Sequence, residues 1–332
     1  MIKVMLIGTL PPPIGGVTIH IERLYKKNLQ TGTVDLSVVD LRNKKYFKDG
    51  KTFSLLFAVT GFFSADIIHI QISNQLKLLF ALLARLVLKK VVYTHHNIRV
   101  NNKFLFGLLI KLCSRIIAVN VKDLKYDLSE KELKKISEIP AFIAPSETGI
   151  LPEEIEKICD ENTFVICSNS TEDAYFNSKL TYGYDILIEA YLNFLKNNSS
   201  PQSILILVDP SGKLKNIVGN LIGKYSDQNS RGKIFYYDNK LDFAALIKKS
   251  SLVVRSTRTD GDALTVREAL YFGKLVIASD CAERPEKTIL FQNENAVDLE
   301  EKITRVYLNK DVPGSGNKDF FEPVISLYRN LN

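Results

Sequence analysis

The sequence predicts an α/β protein made of two doubly wound domains. Three observations predict it. Short apolar runs alternate with stretches of helical spacing along the chain, the pattern of a parallel sheet with helices on both faces. A proline-bearing interruption, "EIPAFIAPSE" (138–147), separates two rounds of that alternation. The length of 332 residues suits two domains of roughly 100–200 residues each.

The first round opens with the strand "IKVMLIG" (2–8), then "GGVTIHIERLYKKNLQ" (15–30), where Val17, Ile21 and Leu24 recur at helical spacing. "VDLSVVDL" (34–41), "DIIHIQIS" (66–73) and "KKVVYTHHN" (89–97) read as strands. The second round has strands at "TFVICSN" (163–169), "QSILILVD" (202–209), "GKIFYYD" (232–238), "SLVVRST" (251–257) and "KLVIASD" (274–280), with a helix at "GYDILIEAYLNFLKN" (183–197). The expected boundaries are an N-terminal domain at 1–143, a second domain at 144–315, and a C-terminal helix within 316–332 that returns to the first. In such sheets ligands bind beyond the carboxyl ends of the strands.

Composition narrows the function classes. Hydrophobic residues make up 45% of the chain, enough for two cores. Cys113, Cys159, Cys167 and Cys281 form no CxxC pair, so neither a zinc site nor a disulfide framework is expected. Isolated thiols suit a reducing cytoplasm. "MIKVMLIGTL" reads as a buried strand rather than a targeting segment. The longest apolar stretch, Leu76 to Leu88, is broken by Lys77 and Arg85. It falls short of the ~20 apolar residues that span a bilayer. The expectation is a cytoplasmic protein, soluble or peripheral at the inner face of the membrane.

Charge is uneven. Residues 1–145 hold 22 Lys+Arg and 10 Asp+Glu, a net of +12; residues 146–332 hold 22 and 27, a net of −5, and the two sum to the overall +7. A basic half beside an acidic half implies different partners for each. "KTFSLLFAVTGFFSAD", "QLKLLFALLARLVLKK" and "NNKFLFGLLIKLCSR" are apolar and helical in spacing, edged by Lys and Arg. They read either as helices packed on the first sheet or as a surface for anionic lipid, where each basic residue contributes ~1 kcal/mol. No nucleic-acid recognition motif is seen, so that partner is not expected.

The informative stretch is "RTDGDALTVREALYFGKLVIASD", Arg258 to Asp280. Asp260-Gly261-Asp262 could be read as a metal-binding DxD. Alternatively, Asp260 and Glu268, with seven residues between them, lie at a strand's carboxyl edge and inside the next helix. Gly273 suits the helix's C′ position. The helix start near Asp262, Ala263 and Leu264 offers unpaired N–H groups and a positive dipole end, which suits a phosphate. The plainer alternative makes Asp262 an N-cap and Glu268 a solvated helix residue.

The wider string "RSTRTDGDALTVREALYFGKLVIASDCAERP" resembles the donor-site segment of retaining glycosyltransferases of family 4, of the bacterial surface-polysaccharide type. That resemblance implies the two-domain GT-B fold, with two Rossmann-like domains facing across a cleft. It places Asp260 and Glu268 at the family's two acidic positions, binding sugar hydroxyls and ribose respectively. It argues against a metal-binding DxD, which belongs to a different, single-domain fold. "PPPIGGVTIHIERL" (11–24) looks like the family's glycine loop, with Gly15 and Gly16 approaching the donor phosphates. It is not a GxGxxG fingerprint. In "VVYTHHN", His96 aligns best with the family's sugar-facing histidine, and His95 could equally be meant. His69 resembles a structural or acceptor-cleft position, and His20 is a weaker candidate.

In "FVICSNSTEDAYFNSKLTYGYDILIEA" the sequence departs from the family. Asn169 stands where an arginine is usual, while Lys179 matches the usual lysine. Losing that arginine removes a charge-assisted contact of roughly 1.5–3 kcal/mol. Arg255, Arg258 and Arg284, near strand ends, are candidates to replace it. In "IFYYDNK", Tyr236, Tyr237 or Asp238 can meet the nucleobase or simply pack.

The resemblance therefore implies a metal-independent glycosyltransferase with no cofactor. Its donor would be a UDP- or GDP-sugar and its acceptor a glycan, lipid-linked, in capsule or lipopolysaccharide synthesis. Lys179 and the N–H groups after Asp262 would stabilise the leaving diphosphate. Two rivals remain: a nucleotide-sugar 2-epimerase on the same scaffold, and a non-catalytic scaffold of a polysaccharide assembly complex.

Overall fold

A computed structural model describes residues 1–12, 14–96, 100, 102–119, 128–171, 173–198, 202–225, 233–309 and 318–331. The chain divides into two compact units: Met1–Ser146 with Asp319–Asn332, and Glu147–Lys318.

In the first unit the elements run β1 (Lys3–Gly8), α1 (Gly16–Thr31), β2 (Asp35–Asp40), β3 (Lys45–Lys48), β4 (Lys51–Ser54), α2 (Phe57–Ser64), β5 (Ile67–Ile70), α3 (Leu76–Leu86), β6 (Lys90–His95), α4 (Lys103–Leu112), β7 (Arg115–Ala118), α5 (Glu130–Leu133) and β8 (Ile136–Glu138). The sheet order is β4-β3-β2-β1-β5-β6-β7-β8. It is parallel except for β3 and β4. Those two form a hairpin turned by Asp49-Gly50, both at positive φ (48° and 73°), the chemistry of a two-residue primed turn. The stretch from Lys51 read as helical is thus corrected. Its first residues form an edge strand, and the helix begins only at Phe57.

The second unit runs α6 (Glu153–Glu161), β9 (Phe164–Asn169), β10 (Tyr175–Phe176), β11 (Lys179–Leu180), α7 (Tyr184–Asn197), β12 (Ser203–Val208), α8 (Lys215–Tyr225), β13 (Ile234–Tyr237), α9 (Phe243–Lys249), β14 (Leu252–Arg255), α10 (Leu264–Tyr271), β15 (Leu275–Ser279), β16 (Ile289–Phe291) and α11 (Ala296–Asn309). The sheet order is β13-β12-β9-β14-β15-β16, parallel throughout. The chain winds outward from β9 through β12 and β13, then crosses back to β14 and winds the other way. The switch point therefore lies between β9 and β14. β12, "SILILV", is buried at every position, as a strand covered on both faces must be.

The last helix, α12 (Phe321–Arg329), joins the first unit. Phe321, Val324, Ile325 and Tyr328 share a core with Val4, Leu6, Ile21 and Leu24. Asp319 fixes the helix start, accepting from the Ala144 amide at 3.0 Å and pairing with Lys27.

Candidate functional site

The carboxyl ends of β9 and β14 meet at the switch point. Their register pairs Leu252 with Ile166 and Val253 with Cys167. Continued by two residues, it sets Arg255 beside Asn169, and Arg255 Nη1 donates to the Asn169 carbonyl at 3.4 Å. The Asn169 side chain accepts from Thr265 Oγ1 at 3.0 Å, tying β9 to the first turn of α10.

The loop from β14 to α10 is stitched in place. Ser256 Oγ bonds the carbonyls of Tyr182 and Gly183, each at 3.0 Å. Asp260 lies at the centre. Its Oδ2 accepts from Arg255 Nε, Arg284 Nη1 and Thr257 Oγ1, each at 3.0 Å. Its Oδ1 accepts from the Gly261 amide at 3.0 Å and Arg255 Nη2 at 3.4 Å. Five donors fill the roughly four lone-pair directions of a carboxylate. Burial works to raise the Asp260 pKa, but Arg255 and Arg284 outweigh it and bring the carboxyl down to about 2. Arg284 is 2% exposed along its side chain. It commits all three nitrogens to protein groups, donating to the Ser279 carbonyl, Asp260, Thr257, Ser279 Oγ and Cys281 Sγ.

α10 starts at Leu264 with Ala263 as N-cap and no side-chain cap, so the helix's first amides receive no bond from a capping side chain. Asp262 is thus not the cap; it pairs with Arg267 at 2.5 Å. The helix ends in a Schellman arrangement: Gly273 (φ 66°) donates to Leu270 and Lys274 to Ala269. Glu268 is buried, at 6% exposure, rather than solvated. A buried carboxylate is costly unless it is paired, which sets it apart from an ordinary surface glutamate.

The other expected residues fall into separate roles. Arg258 is a strut, donating twice to Asp185 (2.9 and 2.6 Å) and once to the Leu180 carbonyl (2.5 Å), with Glu294 beside it at 3.3 Å. Lys179, on the β10–β11 hairpin, is exposed and pairs with the same Glu294. Tyr237 faces a hydrophobic core with Val208 and Val253. Tyr236 instead donates to Asp209 at 2.6 Å, and Asp238 pairs with Lys215.

In the first unit, Gly15 is the N-cap of α1 in extended conformation and Gly16 begins the helix. His96 Nε2 meets Gln71 Oε1 at 2.9 Å, and its ring lies edge-on to His20 at 5.4 Å. Burial first, then the other histidines, hold its pKa well below the ordinary value. His95 is buried against Phe106, and burial lowers its pKa to about 4. His20 bonds the Ala141 carbonyl; His69 lies between Tyr328 and Thr94. Asn97, next to His96, lies outside the described residues. The contributions of Thr257, Ser279 and Cys281 had no signal in the sequence, because they depend on two strand ends meeting.

Comparison with solved structures finds HepE of Anabaena in complex with UDP, at TM-score 0.64 and 14% identity over 99% of this chain and 95% of that one. Sucrose-phosphate synthase from Thermosynechococcus elongatus gives 0.66 and 14%, over 100% and 99%. A glycosyltransferase from Rickettsia africae gives 0.64 and 18%, over 99% and 93%. The fold is GT-B. No family model and no curated relative matches the chain. Within the GT-B fold of this chain, the Asp260 cluster occupies the switch point of the second Rossmann-like unit. Among the described residues, no group of three or more His, Cys, Asp or Glu is arranged to hold a metal ion.

Proposed function

We propose that the chain is a glycosyltransferase of the family-4 kind. It moves a sugar from a UDP- or GDP-sugar to a lipid-linked glycan, with retention and without a metal, in bacterial surface-polysaccharide synthesis. The observation that carries this reading is the switch-point cluster. Two arginines converge there on one carboxylate, beside the N-terminus of α10, with Glu268 buried inside that helix. Such a place suits a diphosphate with a ribose alongside. Glu268 is the proposed ribose ligand. The amides of Ala263 and Leu264 and the exposed Lys179 are the proposed partners of the leaving diphosphate, the main electrostatic stabilisation of the reaction. Gly15, Gly16 and His96 are the first unit's proposed contributions.

The acceptor's lipid and a peripheral place on the membrane draw support from α2, α3 and α4. None carries an Asp or Glu. α3 buries only Ala81 and Ala84, leaving Leu76, Leu79, Leu83 and Leu86 exposed in a stripe, with Phe57, Phe63 and Phe104 exposed on its neighbours. No helix among the described residues is long and apolar enough to cross a membrane. An apolar face on helices that also carry Arg85, Lys103 and Lys111 suits an anionic bilayer.

Isothermal titration with UDP, GDP and a panel of their sugars, followed by labelled-sugar transfer to a membrane lipid extract, tests the proposal. Binding plus transfer is expected, and Glu268→Gln should weaken donor binding at least tenfold. Epimerisation of the sugar without acceptor would move the assignment to an epimerase. Absence of any nucleotide binding would favour the scaffold.

A further inference from the structure

We infer that Arg255 is the residue that grips the donor diphosphate, and that Asp260 positions it there. The inference rests on the donor-site reading above and names a ligand within it. Beside the amides of α10, a diphosphate at this switch point would be held more strongly by a cation on the carboxyl edge of β9 or β14. β9 ends in the uncharged Asn169. Arg255 occupies the laterally adjacent place on β14, in contact with the Asn169 main chain. The positive charge has moved one strand sideways while staying at the same edge.

The other basic residues nearby are less suited. Arg258 is enclosed by Asp185 and Glu294. Arg284 is buried with every nitrogen engaged. Arg267 pairs with Asp262. Arg255 differs. Of a guanidinium's five N–H groups, it commits three among the described residues, two to Asp260 and one to Asn169. Two N–H groups remain for a ligand, on a side chain that keeps 13% exposure against 2% for Arg284. Its plane is held against the Tyr182 ring at 5.2 Å. A guanidinium braced on one edge by a carboxylate and on its face by a ring is set for a two-pronged contact with phosphate oxygens. Asp260 cannot take sugar hydroxyls without giving up one of its five donors. Its place in the site is to aim Arg255, and Arg284 locks Asp260 in turn.

The test is titration of UDP, GDP, UMP and GMP into the wild type and Arg255→Gln, with circular dichroism to confirm folding. Expected is a loss of at least tenfold in affinity for whichever diphosphate the wild type binds, with the monophosphate changed less than threefold. The double variant Asn169→Arg/Arg255→Asn should recover part of the diphosphate affinity, because the charge returns to the neighbouring strand. If Arg255→Gln does not fold, Arg255→Lys takes its place with the same comparison, since an ammonium's three N–H groups lack the planar fork that makes two-pronged contacts to both Asp260 and a phosphate. Diphosphate affinity within threefold of wild type, or equal losses for mono- and diphosphate, overturns the inference while leaving the donor site standing. A wild type that binds neither diphosphate overturns both.

Discussion

A Cβ added to Gly183 would stand 1.9 Å from the backbone oxygen of Ser256, and Gly183 itself sits at φ 62°. This contact presses the N-terminus of α7 against the loop that leaves β14. Gly183→Ala combines a backbone clash with left-handed strain, so a cost on the order of 3 kcal/mol or more is expected. Gly273→Ala shares the positive φ (66°) but meets nothing within 4 Å, and should cost about 1 kcal/mol. Thermal unfolding of the two variants separates them; equal losses would contradict the close approach.

Asp260 should make its stability contribution felt at neutral pH and lose it in acid. Its carboxyl titrates at about 2 in the folded chain, against ~3.9 when unfolded. A depressed acid stabilises above the unfolded value, and the gain disappears as pH falls from about 4 towards 2. Asp260→Asn is expected to cost roughly 2–3 kcal/mol at pH 7 and roughly half as much near pH 3. Denaturant titrations at the two pH values measure this, and a cost independent of pH would count against the arginine clamp.

The first unit should be acid-sensitive for the opposite chemical reason. Burial depresses His20 to about 4, His69 to about 3 and His95 to about 4. The unfolded chain takes up protons near pH 6.5 while the folded chain refuses them, so stability falls as pH drops below about 6.5 and continues to fall to each folded value. Between pH 7 and 5 each histidine should remove roughly 1–2 kcal/mol. Calorimetry should show the unfolding temperature falling far more from pH 7 to 5 than from pH 8 to 7. A flat profile across pH 7 to 5 would rule the effect out.

The leucine stripe of α3 gives a direct test of the bilayer face. Wild-type protein should co-sediment with vesicles containing phosphatidylglycerol and much less with pure phosphatidylcholine vesicles. Leu79→Ser/Leu83→Ser/Leu86→Ser should lower vesicle binding at least tenfold while leaving nucleotide affinity intact. Concentration-dependent dimerisation without vesicle binding would instead assign the stripe to a second copy of this chain.

Most of the sheet was legible in the sequence because its strands are buried on both faces. Runs such as "SILILV" and "FVICS" need no periodicity to be recognised, only turn signals around them. The β3–β4 hairpin was missed although Asp49-Gly50 announces it, because the apolar run after it reads as one long helix. The site was legible only in part. Asp260 and Glu268 share one strand–loop–helix unit, so their spacing is local information. The partners are not local: Arg284 reaches Asp260 across 24 residues and Asp185 reaches Arg258 across 73. Such pairs exist only once strands are ordered in the sheet, and one sequence does not disclose that order.

The last helix also sets a timetable. Residues 147–318 contain all the strands of the second sheet and can close on themselves as soon as they are made. One of the first unit's two cores lacks its last layer until Phe321, Val324, Ile325 and Tyr328 arrive; the other holds no residue of α12. On a ribosome the half synthesised first is therefore the half completed last, its core around Val4, Leu6 and Ile21 lacking the α12 layer until that helix emerges.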